Sequence, residues 1–158
     1  MLVTGNYAMG SMPVGTTTLT SGGTSNAFLF KLSGVDGGPL WATSAASLWI
    51  DYGLGVATDS ANNVVFTGYF ANSASFRGTT LTSAGASQDV FVAKYTSSGG
   101  LVWAERFGDV SDESASSVAT DSSGNIAITG AFRQATNILG TSLTSAGSTD
   151  ALLVSLTP

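Results

Sequence analysis

The chain has 158 residues, is 43% hydrophobic and only 9% charged, and carries ten carboxylates against five cations for a net charge of −5. That balance excludes a disordered polar segment, and the cations (Lys31, Arg77, Lys94, Arg106, Arg133) are too scattered to form the positive surface that phosphate backbones require, so no nucleic-acid partner is expected. The absence of cysteine and histidine removes disulfides, thiolate and imidazole metal sites, Cys nucleophiles and Ser-His triads together, and no apolar run approaches the ~18–20 residues of a membrane-spanning helix, so no membrane insertion is expected.

Ser and Thr supply 43 residues and Gly another 20 against 3 Pro, a composition that predicts an all-β chain with many tight turns. In chain order the predicted strands begin with Leu2 to Tyr7 and the almost wholly apolar Ala27 to Leu32, followed by a short run from Leu40. Next come Gly53 to Thr58, Val64 to Phe70, Val90 to Tyr95 and Leu101 to Phe107. The last are Ser116 to Thr120, Ile126 to Phe132 and Ala151 to Leu156. Between Val64–Phe70 and Val90–Tyr95 lies a long connection with one apolar plug per copy, Phe76 or Ile138, and Pro13 or Val14 in the first.

These runs repeat. Val56-Ala57-Thr58-Asp59 returns as Val118-Ala119-Thr120-Asp121, and Trp41-Ala42 as Trp103-Ala104, both 62 residues on. Leu81-Thr82-Ser83-Ala84-Gly85 has counterparts at Leu19 to Gly23 and at Leu143 to Gly147, and Thr4-Gly5 matches Thr67-Gly68 and Thr129-Gly130. Each period holds four strand-like runs, A to D, with A and B joined by a turn at Asp59–Asn63 or Asp121–Asn125. Four short strands per period predict one blade of a β-propeller, and the phase gives strands BCD, ABCD and ABC, with copies near 1–47, 48–109 and 110–158. Rings usually take four to eight blades. The remaining blades are expected from further copies, as a homodimer or larger homo-oligomeric ring, or from a longer parent chain. The run Leu2-Val3-Thr4-Gly5 after Met1 matches a repeat interior, so no leader is expected in this stretch and the chain is expected to start inside a repeat.

The words Asp121 to Gly130, Leu143 to Gly147, Asp89 to Lys94 and Gly100 to Gly108 make the chain resemble the bacterial SBBP-type β-propeller repeat family. The resemblance covers essentially the whole chain and implies the propeller fold and an extracellular or cell-surface location. It carries no catalytic residues. The first copy departs from the pattern, with Asn26 in place of the Asp that opens strand C and Leu48-Trp49-Ile50 in place of the Gly-rich stretch between D and A.

Candidate chemistry rests on carboxylates: Asp59 and Asp121 in turns, Asp89 and Asp150 opening strand C, and Asp51 and Glu113 before strand A beside Asp109 and Asp112. Two of these could pair for glycoside hydrolysis, but an acid repeated in every copy is expected to cap a turn in every copy. The turn acids lack the acidic spacing of a calcium loop. No catalytic residue, metal ligand or cofactor is therefore assigned. Trp41 and Trp103 recur in phase and are expected to pack in the core or between blades. Trp49 does not recur, and with Tyr52 it is the candidate ligand-binding pair, for a glycan or protein. The expectation is a non-enzymatic binding or scaffolding module, with a lectin-like propeller and a polysaccharide hydrolase as the alternatives.

Overall fold

The computed structural model describes residues 1–157, apart from the side chain of Met9. Fourteen strands and, among the described residues, no helix make up the chain. The first sheet begins with β1 (Leu2–Val14), β2 (Thr17–Leu32) and β3 (Pro39–Ser47). The second contains β4 (Asp51–Thr58) and β5 (Val64–Ala71), and continues with β8 (Gln88–Tyr95) and β9 (Leu101–Phe107) after the short pair β6 (Ser73–Phe76) and β7 (Thr79–Thr82). The third contains β10 (Glu113–Thr120), β11 (Ile126–Phe132) and β14 (Asp150–Leu156), with β12 (Ala135–Ile138) and β13 (Thr141–Thr144) forming a separate hairpin between them. All named strand pairs are antiparallel, and the second sheet has the order A, B, C, D expected of a blade.

Two expectations are corrected. The long B-to-C connection is a β-hairpin and not a loop: β6 pairs with β7, β12 with β13, and in the first copy β1 and β2 run on into the same arm past an irregularity between Ala8 and Gly10. Its tip explains why it forms, because Arg77-Gly78 and Leu139-Gly140 both hold positive φ at two successive residues, the conformation of a tight hairpin turn that matches strand twist. The run from Leu40 is also no short strand. It spans nine residues against seven in β9, because its far end pairs with β6 and draws the arm of the second copy into the first sheet, giving the order β1-β2-β3-β6-β7. The plugs Phe76 and Ile138 are buried, Val14 is half-buried and Pro13 is exposed.

The recurring Thr-Gly has a packing cause. Strand A is irregular opposite it, between Gly53 and Gly55 and between Ala115 and Ser117, and this brings a strand A carbonyl over the glycine. A Cβ on Gly68 would overlap the Tyr52 carbonyl oxygen, and one on Gly130 that of Ser114. The preceding Thr67 and Thr4 hydroxyls donate to the Phe91 and Phe28 carbonyls at 2.7 and 2.8 Å.

Because side chains alternate along a strand, each sheet has two faces, here called front and back. The front of the first sheet (Ala27, Leu29) packs with the back of the second (Phe66, Phe91, Ala93) in one core. The front of the second (Val65, Val90, Val92) packs with the back of the third (Ile128, Leu152, Val154) in another. The two central strands of the second sheet, β5 and β8, are thus buried on both faces, which accounts for their nearly unbroken apolar runs.

Candidate functional site

The turn acids are fully engaged in local structure. Asp59 Oδ1 accepts from the amides of Ala61 and Asn63 and its Oδ2 from Asn63 Nδ2, and Asp121 makes the same three bonds to Ser123 and Asn125. Asp59 also pairs with Lys94 at 2.9 Å. Its partial burial would raise its pKa, but the Lys94 and Asn63 bonds prevail and hold it down at about 2. Asp89 and Asp150 cap the arm-to-strand turns by accepting from the Ala84 and Ala146 amides at 3.0 and 2.8 Å.

A second set of carboxylates sits at the junctions between sheets. Glu113 opens β10 and Asp89 lies at the start of β8, so they come from different blades, yet a Cβ placed on Gly108 would meet both carboxyl groups within 3.0 Å. Glu113 is 1% exposed and Asp89 wholly buried. Asp89 Oδ2 binds Arg106, and Glu113 Oε2 accepts from the Asp109 amide at 3.0 Å, while Asp89 Oδ1 and Glu113 Oε1 have no hydrogen-bond partner. Burial, reinforced by the charges of Asp89 and Asp109, pushes Glu113 up to about 7, and burial raises Asp89 too. At the first junction Asp51 takes the Glu113 position and the buried Asn26 the Asp89 position. Burial pushes Asp51 up to about 7, only partly offset by Ser47 and the Ala71 amide nearby. These groups have the raised pKa of catalytic acids, but they show a substrate no surface.

A third junction element escaped the sequence reading. Trp41 Nε1 and Lys31 Nζ both donate to the Ser97 carbonyl, at 3.1 and 2.9 Å, clamping the turn after β8 against the first sheet. Trp41 packs on Tyr95 with ring centroids 6.2 Å apart, which places it at the junction of the first and second sheets. One period on, Lys94 and Trp103 line a cavity of about 590 Å³ with Leu156 and Thr157. The in-phase Lys and Trp could have pointed to this latch; Ser97, 66 residues from Lys31, could not.

Trp49 is 53% exposed, flanked by exposed Leu48 and Ile50. Its backbone is fixed, the amide donating 2.8 Å to Ser47 Oγ and the carbonyl accepting from Ser25 at 3.3 Å. Tyr52 lies half-buried on β4 and stacks on Tyr69 at 5.2 Å and 18°. The indole therefore stands on a rigid segment as an open apolar surface, whereas Tyr52 has its ring partner within its own sheet. The third copy has Val110, Ser111 and Asp112 at the matching places.

No protein-family model matches the chain. It is similar to an uncharacterized WD repeat-containing protein of Acanthamoeba polyphaga mimivirus, 29% identical over 150 residues that cover 85% of this chain and 11% of that protein. The chain thus spans little more than a tenth of this relative's length. With the antiparallel sheets described above, the likeness supports an all-β repeat of β-propeller type. The period of 62 is longer than the ~40–45 residues usual for WD repeats.

Proposed function

We propose that this chain is a non-enzymatic β-propeller module for binding or scaffolding, whose blades belong to a larger ring. The observation that carries this reading is the contrast between its acids and its exposed apolar residues. The repeated Asp59, Asp121, Asp89 and Glu113 hold turns and junctions, while the unrepeated Leu48-Trp49-Ile50 segment stands open on a fixed backbone. Rigid exposed aromatics of this kind anchor interfaces at low entropic cost. The likeness to a WD repeat-containing mimivirus protein agrees with a propeller role. The finer assignments, an SBBP-type repeat, a bacterial secreted or surface protein and a self-associating ring, rest on the sequence motifs. A lectin-like variant of the reading draws on the same Trp49, since an exposed indole also stacks on sugar rings.

The test is a glycan and peptide array probed with the wild-type chain and with Trp49→Ala, together with a turnover assay on polysaccharides. Binding that Trp49→Ala removes without lowering the melting midpoint supports the module, and glycan-only binding selects the lectin form. Hydrolysis of polysaccharide by the wild-type chain would overturn it.

A further inference from the structure

The two internal junctions show how blades of this chain recognise one another, and they differ in a way that bears on the two faces left open. At the first junction a small front, Ala27 and Leu29, receives a large aromatic back, Phe66 and Phe91. At the second, a medium front, Val90 and Val92, receives a medium back, Ile128 and Leu152. Side-chain volume is conserved across the pair although each partner changes, as close packing demands.

The open front of the third sheet carries Ala151 and Leu153 at the positions of Ala27 and Leu29, the same Ala-x-Leu. Both are exposed, Leu153 by 73%. The open back of the first sheet carries Phe28 at the position of Phe91, with Phe30 two residues on. These rings are half-buried and stack on each other at 4.3 Å, on the face opposite Ala27 and Leu29. A small front and an aromatic back are thus both open, the combination that the first junction joins.

We propose that these faces are each other's partners: the third sheet of one copy seats its front on the back of the first sheet of a second copy, head to tail. This rests on the propeller reading above. The contact is heterologous, and two copies supply six such sheets, within the usual range for a closed ring. A front-to-front dimer would set small residues on small ones and leave Phe28 and Phe30 in water.

The chain has no cysteine, so cross-linking can test the pairing directly. Leu153→Cys mixed with Phe30→Cys should give a disulfide-linked heterodimer of twice 15.9 kDa under mild oxidation. Sedimentation adds a second readout: Leu153→Lys and Phe30→Lys should each lose the wild-type ring, and their mixture should recover a one-to-one pair through the single interface that remains intact. Cross-linking of Leu153→Cys with itself in preference to the mixture would overturn the proposal in favour of a front-to-front contact. A wild-type chain that is monomeric throughout a dilution series would also overturn it. If that monomer has a β-type circular dichroism spectrum, the propeller module survives the loss of this partner; a helical or unfolded spectrum would remove both.

Discussion

Glu113 and Asp51 are acids whose ionisation the fold disfavours. Both titrate near 7 when folded, against about 4 in an unfolded chain, so between those values the native state binds more protons and stability falls as pH rises. Asp59 works in the opposite sense: held at about 2, it contributes stability above pH ~4 that is lost as pH falls towards 2. Thermal melts should therefore show a maximum near pH 4 to 5 and a decline towards pH 7. Glu113→Gln should flatten that decline, and a midpoint indifferent to pH in the wild type would contradict the burial. Gly68→Ala should cost about 3 kcal/mol or more, because the overlapping atom is a backbone carbonyl that cannot swing aside; a denaturation midpoint within error of wild type would refute this. Turn roles for Asp59 and Asp121 are legible in the sequence because the bonds that close the turns reach at most four residues. The meeting of Asp89 with Glu113 is not, because it depends on two blades being face to face.

At the scale of elements, strands B and C of the second copy are legible to within two residues, since a strand buried on both faces has to be apolar nearly throughout. The arm is not. Four-residue strands rich in Ser and Thr look like a loop, and the two-residue turns at Arg77-Gly78 and Leu139-Gly140 lack the usual Asn-Gly or Asp-Gly signal. The plug shows that the arm matters for packing. Phe76 is fully buried, its ring centroid 5.0 Å from that of Phe91, while its strand pairs with β3 of the preceding blade. Phe76→Ala should cost about 3–5 kcal/mol in chemical denaturation, and a loss below 1 kcal/mol would show that the arm is not part of the core. The Ser97 latch should be milder. Trp41→Phe retains most of the packing and removes the indole N–H, so a loss of about 1 kcal/mol is expected, with the far-UV spectrum unchanged.

At the scale of the whole molecule, the repeat is what the sequence displays most openly, because words such as Trp-Ala and Thr-Gly recur at one spacing. What it does not display is which face of each strand meets the next blade. That emerges only from burial: β8 is buried on both faces, whereas β14 alternates between buried and exposed residues. Covering several hundred Å² of apolar surface on each open face at ~25 cal/mol per Å² is worth on the order of 10 kcal/mol, before the entropy of association is subtracted. A gain of that size is comparable to the stability of a whole domain, so assembly and folding should be coupled. The melting midpoint should then depend on protein concentration. A hundredfold dilution removes about 2.7 kcal/mol per dimer, or half of that per chain, which for a domain of this length corresponds to roughly 3–5 °C. Leu153→Lys, which places a charge on the exposed front of the third sheet, should melt lower than wild type and at the same temperature whatever its concentration. A wild-type midpoint that does not move on dilution would mean that the open faces contribute nothing to stability through self-association.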